Sequence, residues 1–209
     1  KLFGEVYPMK LDPEKDLLQS EKPTNAWLCK DVSHPDIIRG KSSNVALPLS
    51  PENELVMQKL IDFVRWSQDS TLNFKSNGDY LRPAVGLAAP QIGSNTNMFF
   101  ARFEWKGSDA EEYAMINPVI TAKSTQIACL DGGEGCLSVD VDQSGNVPRS
   151  YKIEVTAYDY FTREEVNLTL RGFRAIVFQH EIDHNHGKLY YDHIDAKDEN
   201  YFEKEWIFV

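Results

Sequence analysis

Cysteine is scarce in this 209-residue chain, which contains only Cys29, Cys129 and Cys136. Three thiols cannot all pair within one chain, and their spacing matches no disulfide framework. The sequence therefore argues against a small disulfide-stapled fold. It favours reduced thiols, and we expect the protein in the cytoplasm.

Long apolar runs and an excess of basic charge are also missing. No stretch approaches the ~20 continuous apolar residues of a membrane span, and the first residues lack the basic-then-apolar order of a secretory signal. The chain has 22 Lys and Arg against 32 Asp and Glu, a formal net charge of −10. Because it lacks a basic surface, we expect it to bind neither nucleic acid directly nor an anionic membrane.

The composition is that of a globular protein, with 42% apolar and 11% aromatic residues. A chain of this length can bury a sizeable core, and one domain is favoured over two. Residues 1–30 mix charges, prolines and isolated aromatics without a sustained period. They predict an irregular N-terminal extension in front of a single domain at 31–209.

Two histidines, His180 and His184, are separated by four positions, and Glu181 follows the first. At about 3.6 residues per turn the histidines share one helix face, within reach of one metal ion, while Glu181 can point at a water. Apolar residues at helical spacing precede them and predict a buried face: Phe173, Ile176 and Val177. The alternative is a chance match in which the histidines are hydrogen-bonded core residues.

A catalytic metal site needs a third protein ligand, whereas a structural site would be closed by four. One protease arrangement takes a histidine ten residues after the first, but that position is Tyr190. Another takes a later glutamate, for which spacing leaves three candidates: Glu199, Glu203 and Glu205. The remaining candidate is Cys136, because its flanking glycines would present a thiolate at short range.

Other stretches predict the surroundings of that helix. Ser50, followed by proline and then acidic residues, predicts a helix that ends near Asp69. Residues 97–105 and 113–121 read as strands, and alternating apolar residues predict a hairpin of 151–160 with 166–170. Small residues dominate 83–93, which also contains Gln91, whose amide can stabilise an oxyanion; the alternative is a tight turn packed under a helix.

Three stretches together, 86–91, 134–138 and 179–184, resemble the peptide deformylase family in order and spacing. The resemblance spans roughly 31–195, and 175–184 looks most like the branch of Gram-positive bacteria and mycoplasmas. It implies an α+β fold in which antiparallel strands wrap around a central metal-binding helix. The implied enzyme is a metal-dependent hydrolase that removes the formyl group from N-terminal formylmethionine of new polypeptides and releases formate.

The resemblance also assigns residues. It implies three metal ligands: Cys136, His180 and His184. It implies Glu181 as the acid/base, and the Gln91 amide with the Leu137 N–H as the oxyanion hole. The implied metal is Fe²⁺, with Zn²⁺, Ni²⁺ or Co²⁺ as substitutes, and the implied partners are formylmethionyl nascent chains near the ribosome exit.

Substrate contacts follow from the same resemblance. The residues expected to touch the peptide or enclose its methionine are Val85, Gly86, Glu134, Gly135, Ile176 and Val177. Glu134 is further expected to pair with Arg149. The chain departs from the family pattern at Ala84, where glycine is usual, and at Asn185, where leucine is usual. We expect His186 to be a surface or supporting residue and not a fourth ligand, since it is turned about 200° from His184.

Overall fold

The computed structural model describes residues 9–209, which form a central five-stranded antiparallel sheet with a helix on each face. The strands are β1 (Gly86–Ala88), β2 (Met98–Phe103), β3 (Glu111–Lys123), β4 (Ile127–Cys129), β5 (Arg149–Ser150), β6 (Lys152–Asp159), β7 (Glu164–Arg171) and β8 (Ile207–Phe208). The α-helices are α1 (Pro35–Ile38), α2 (Pro51–Gln68) and α3 (Phe173–Asn185). The central sheet has the order β1-β2-β3-β6-β7, so β1 lies at its edge. The predicted α+β class is confirmed.

Helix α2 begins where the sequence predicts. The Ser50 hydroxyl accepts a hydrogen bond from the Asn53 N–H at 3.2 Å, and Pro51 occupies the first turn, where its missing N–H costs nothing. The helix ends at Gln68, one residue before Asp69. Its fully buried apolar side chains pack on one face of the sheet: Met57, Leu60, Ile61, Phe63 and Val64.

Strand β2 joins the two halves of the core because all six of its residues are buried. Successive side chains point to opposite faces of a strand. Phe100 therefore packs with the α2 cluster, while Phe99 packs with the α3 cluster. The rings of Phe99 and Phe178 of α3 meet edge to face at 5.0 Å. Nine of the 13 residues of α3 are themselves buried, so this helix lies inside the fold, as predicted.

The predicted hairpin is formed by β6 and β7, which pair in register from Lys152–Arg171 to Asp159–Glu164. Ile153 and Val155 point into the core and Glu154 into solvent, which matches the alternation in the sequence. Gly172 follows with a φ of 62°, a left-handed backbone that favours glycine, and α3 starts at the next residue. The hairpin thus delivers the chain directly into the histidine-bearing helix.

A small second sheet, of order β5-β4-β8, was not predicted. In this sheet β4 pairs antiparallel with β5 and parallel with β8, so the β4–β8 pair is the one exception to the antiparallel expectation among the described strands. The sequence prediction also missed edge strand β1, which lies in the stretch for which a tight turn was the alternative. A strand of three residues, Gly-Leu-Ala, is too short to show an alternating pattern.

The described part of the N-terminal extension, residues 9–30, has no α-helix or strand, and one 3₁₀ turn at Asn25–Trp27. Residues 1–8 of that predicted extension lie outside the described residues. The Leu18 N–H donates to the Asp62 carboxylate of α2 at 3.0 Å, which attaches the extension to the core. The division at residue 30 stays a prediction.

Among the described helices, none is long and apolar enough to span a membrane.

Candidate active site

Three metal-ligating side chains converge beside α3. Each of Cys136, His180 and His184 offers one donor atom, and the three atoms lie within 4.8 Å of one another. The Cys136 Sγ is 3.3 Å from the His184 Nε2. Within residues 9–209 no other such cluster of His, Cys, Asp or Glu occurs, and the glutamates considered as an alternative third ligand are not part of it: Glu199, Glu203 and Glu205. A soft thiolate with two imidazoles is a donor set that suits Zn²⁺ or Fe²⁺.

Glu134 fixes the orientation of His180. Its Oε1 is 2.7 Å from the His180 Nδ1, which leaves the other ring nitrogen available for a metal. Arg149 pairs with the same carboxylate through two hydrogen bonds of 2.7 and 2.9 Å, as the resemblance implies. Burial acts to raise the pKa of Glu134, but the charge of Arg149 and the hydrogen bonds lower that pKa to about 2. The carboxylate is therefore ionised where it faces the imidazole.

The ionic network continues away from the metal ligands. The Arg149 Nη1 donates to the Asp183 Oδ2 at 2.9 Å, and that oxygen is 2.8 Å from the His193 Nε2. Arg149 and Glu134 are each only 3% exposed at the side chain. Because a buried guanidinium needs counter-charges, the two acids and Arg149 hold one another in place. Sequence reasoning missed Asp183 and His193, which lie ten positions apart.

Glu181 is buried and stands beside the three donors without belonging to them. Its Oε2 has no hydrogen-bond partner in the part of the chain that the structure describes. Desolvation by burial is the main cause that raises the pKa of Glu181 to about 7. A Cβ added at Gly86 would lie 2.9 Å from the Glu181 Oε1, so only a glycine at position 86 leaves room for this carboxyl group. A buried, unpaired carboxyl group beside a donor cluster is suited to exchange a proton with a ligand.

Gln91 presents its amide N–H₂ to the same place. Its Oε1 accepts a hydrogen bond from the Ala88 N–H at 2.9 Å, which turns the Nε2 toward Cys136, 3.7 Å from the Sγ. The Ser138 N–H also points at this sulfur, at 3.4 Å. Leu137, which lies between Cys136 and Ser138 in the chain, also lines the cavity. Two hydrogen-bond donors therefore point at the Cys136 sulfur, and one of them, the Gln91 amide, belongs to a residue that lines the cavity.

The cavity has a volume of about 240 Å³. Every predicted site residue except His184 lines it, and His184 lies below, 1% exposed. Apolar walls come from both sides of the opening: Val85, Leu130, Phe173, Ile176 and Val177. Sequence reasoning gave no role here to Arg82 or Pro83. The only signal in the sequence was position, because Pro83 begins the small-residue stretch and Arg82 directly precedes it.

Of the two departures from the family pattern, Ala84 is held through its backbone, whereas the side-chain amide of Asn185 is buried without a hydrogen-bond partner among the described residues. Ala84 is 8% exposed, its N–H donates to the Ser67 Oγ at 3.0 Å, and its carbonyl accepts from the Gln68 Nε2 at 2.8 Å. These two bonds attach the stretch before β1 to α2. His186 is exposed, and its Nδ1 contacts the Ile182 carbonyl at 3.0 Å. It is therefore a surface residue, as predicted, and contributes no donor to the cluster.

The chain is similar in sequence and in fold to known proteins. Residues 29–200 match the family model described as polypeptide deformylase. The chain is 44% identical over 172 residues to peptide deformylase 2 of Geobacillus stearothermophilus, covering 81% of this chain and 91% of that protein. It is 43% identical over 161 residues to peptide deformylase 2 of Bacillus cereus, covering 77% and 85%. The peptide deformylase structure from Thermus thermophilus superimposes with a TM-score of 0.61 at 27% identity, covering 81% and 86%. With this match over most of its length, the chain belongs to the peptide deformylase family.

Proposed function

We propose that this protein is a metal-dependent hydrolase that removes the formyl group from the N-terminal formylmethionine of newly made polypeptides and releases formate. The observation that carries the proposal is the convergence of Cys136, His180 and His184 beside the unpaired carboxyl group of Glu181. Three protein ligands leave a coordination position open, as catalytic metal sites require and structural sites do not. Membership of the family supports the same activity.

The three donors fit a single divalent cation. His180 uses its Nδ1 to contact Glu134, so its remaining nitrogen faces the thiolate and the second imidazole. Fe²⁺ is the metal we expect, with Zn²⁺, Ni²⁺ or Co²⁺ as substitutes, because thiolate and imidazole ligands accept all four. A metal held here supplies Lewis-acid chemistry, which activates water at neutral pH. Elemental analysis of anaerobically purified protein identifies the ion.

Glu181 is the acid/base of the proposed reaction. Water adds to the formyl carbon, Glu181 accepts the water proton, and the same carboxyl group donates it to the departing nitrogen as the C–N bond breaks. The formic acid that results passes its acidic proton to the free amine, so the products are formate and a protonated amino terminus, and atoms and charges balance. The tight fit of the Glu181 carboxyl against Gly86 holds it in one position, which a proton transfer over hydrogen-bond distance requires.

The oxyanion that forms on the formyl oxygen needs donors in place before the reaction starts. We assign this role to the Gln91 amide, whose orientation is set by the Ala88 N–H, and to the backbone N–H of Leu137. Each donor lost from such a site costs about 3 kcal/mol of transition-state stabilisation. Gln91 is 1% exposed, so water cannot easily replace its hydrogen bond.

The methionine side chain is assigned to the apolar part of the cavity. Val85, Ile176 and Val177 line it, and burying an unbranched side chain of this size contributes about 1.5–3 kcal/mol. Gly86 and Gly135 both line the cavity, where their missing side chains let a peptide backbone approach. Strand β1 is an edge strand, so an extended peptide can pair with its free side. Glu134 also lines the cavity, where it holds the His180 ring in place.

The substrates we expect are nascent formylmethionyl chains near the ribosome exit, in the cytoplasm. The test compares formyl-Met-Ala-Ser, acetyl-Met-Ala-Ser and unfolded casein. We expect formate from the first peptide and much slower hydrolysis of the second. Acetyl carries one more methyl group than formyl at the reacting carbon. A closed site should raise the activation free energy for it by more than the roughly 1–3 kcal/mol that one methylene costs in an ordinary apolar pocket. Cleavage of casein, or equal rates on both peptides, would overturn the proposal in favour of an endopeptidase.

A further inference from the structure

Of the described residues, Arg82 is the one lysine or arginine that lines the cavity. Its guanidinium lies over Gly135, where an added Cβ would come within 2.5 Å of the Arg82 Nη2. Its ionic partner is Asp142, at 3.3 Å, and the two side chains are 53% and 69% exposed. A pair this exposed holds its members weakly. The guanidinium can therefore exchange this partner for another carboxylate.

The course of the substrate along the cavity follows from the proposed function, on which this inference rests. The reacting end must lie near Gly86, because the Glu181 carboxyl group is packed against that residue. Residues 82–86 line the cavity consecutively, from Arg82 at the mouth to Gly86 at the donor cluster. A peptide that lies along the free edge of residues 82–86, the segment that leads into β1, and keeps its formyl end at Gly86 leaves toward Arg82. An extended chain advances about 3.3 Å per residue, so the third or fourth residue of the substrate comes level with Arg82.

We propose that Arg82 is a specificity-determining residue that favours substrates with an aspartate or glutamate at position three or four, counting formylmethionine as one. A guanidinium offers five N–H donors in a fork that matches a carboxylate. The other charged groups lining the opening do not compete, because Glu134 is neutralised by Arg149 and Glu181 lies buried at the reacting end. With a protein net charge of −10, Arg82 offsets a general repulsion of acidic peptides.

The experiment measures formate release from formyl-Met-Ala-Ala-Ala-Ser and from peptides that carry Asp or the matched Asn at position two, three or four. For the wild-type protein at low ionic strength, we expect kcat/KM for Asp to exceed that for Asn about two- to fivefold at position three or four, as for an exposed ion pair. At position two the ratio should be about 1. At about 0.5 M salt the preference should shrink, because screening acts on exposed charges.

Variants separate this effect from general electrostatics. Arg82→Gln should bring the Asp-to-Asn ratio to 1 or below, and Arg82→Glu should invert it. Asp142→Asn should raise the ratio, because it removes the carboxylate that competes for Arg82. The matched control is Arg163→Gln, since Arg163 is also an exposed arginine paired with an acid, Glu54, but does not line the cavity. Its ratio should equal that of the wild type.

The outcomes are distinguishable. An Asp-to-Asn ratio of 1 or less at positions three and four, or a ratio that Arg82→Gln leaves unchanged, overturns the inference while formate release still supports the proposed function. Absence of formate from every formyl peptide with metal-loaded protein overturns the proposed function and, with it, this inference.

Discussion

The Oε1 of Glu134 lies 2.7 Å from the Nδ1 of His180, so a buried carboxylate 46 residues away along the chain orients an imidazole that we propose as a metal ligand. Carboxylate partners of this kind set the tautomer of the ring and raise its basicity, and losing them costs metal affinity. Glu134→Gln should therefore weaken metal binding about 10- to 100-fold while the fold is retained. Competition with a chelator measures the affinity, and circular dichroism checks the fold.

The control for this change is Glu112→Gln. Glu112 also pairs with arginine, at 2.7 Å from the Arg65 Nη2, but takes no part in the donor cluster. Both variants remove one carboxylate from an arginine and should lower the melting temperature. Only Glu134→Gln should change the metal dissociation constant. Equal metal affinity in the two variants would contradict the orienting role of Glu134.

Glu181→Gln should separate proton transfer from metal binding. The glutamine has nearly the same shape and fits against Gly86, but it cannot take or give the proton. Loss of general acid–base catalysis lowers kcat by about 10²- to 10⁴-fold. Elemental analysis should still find one metal ion per chain. A variant that loses its metal would show that Glu181 acts as a ligand.

Cys136→Ala should release the metal and lower the melting temperature, because it removes one of three ligands and metal binding stabilises the folded state. Cys29→Ala and Cys129→Ala are the matched controls. Both thiols are buried, and burial raises the pKa of each, so neither is presented as a thiolate. Metal content measured on all three variants checks the assignment. Metal retained in Cys136→Ala would sink it.

Gly86→Ala tests the position of the Glu181 carboxyl group. The added Cβ would meet the Glu181 Oε1 at 2.9 Å and its Cδ at 3.0 Å, so the carboxyl group must shift. A displacement of about 1 Å in a reacting group can cost on the order of 10²-fold in rate. We expect a fall of this size in kcat with unchanged metal content. Val85→Ala, at the adjacent cavity-lining position, is the comparison and should act mainly through KM. An equal kcat in Gly86→Ala and wild type would refute the close fit as a catalytic requirement.

Local features were predictable because they depend on residues close in the chain. The four-residue spacing of His180 and His184 alone places them on one face of α3. The Ser50 hydroxyl caps α2 through the Asn53 N–H, a bond over three positions. The β6–β7 hairpin follows from alternation of side chains with period two. The three stretches that carry the family resemblance were equally readable, since each is continuous in sequence.

Only the tertiary structure could decide which distant groups meet. Spacing along the chain left the third ligand open between Cys136 and three glutamates, and packing of the glycine-rich loop against α3 brings the Cys136 sulfur to 3.3 Å from His184 across 48 positions. The bond from Arg149 to Asp183 and the position of Arg82 over Gly135 depend in the same way on how sheet, loops and helix pack. The sequence by itself determined the histidine-bearing helix, helix α2 and the hairpin that precedes α3. Packing decided the rest, because a side chain's neighbours across a core are set by the relative placement of whole elements, which no local period encodes.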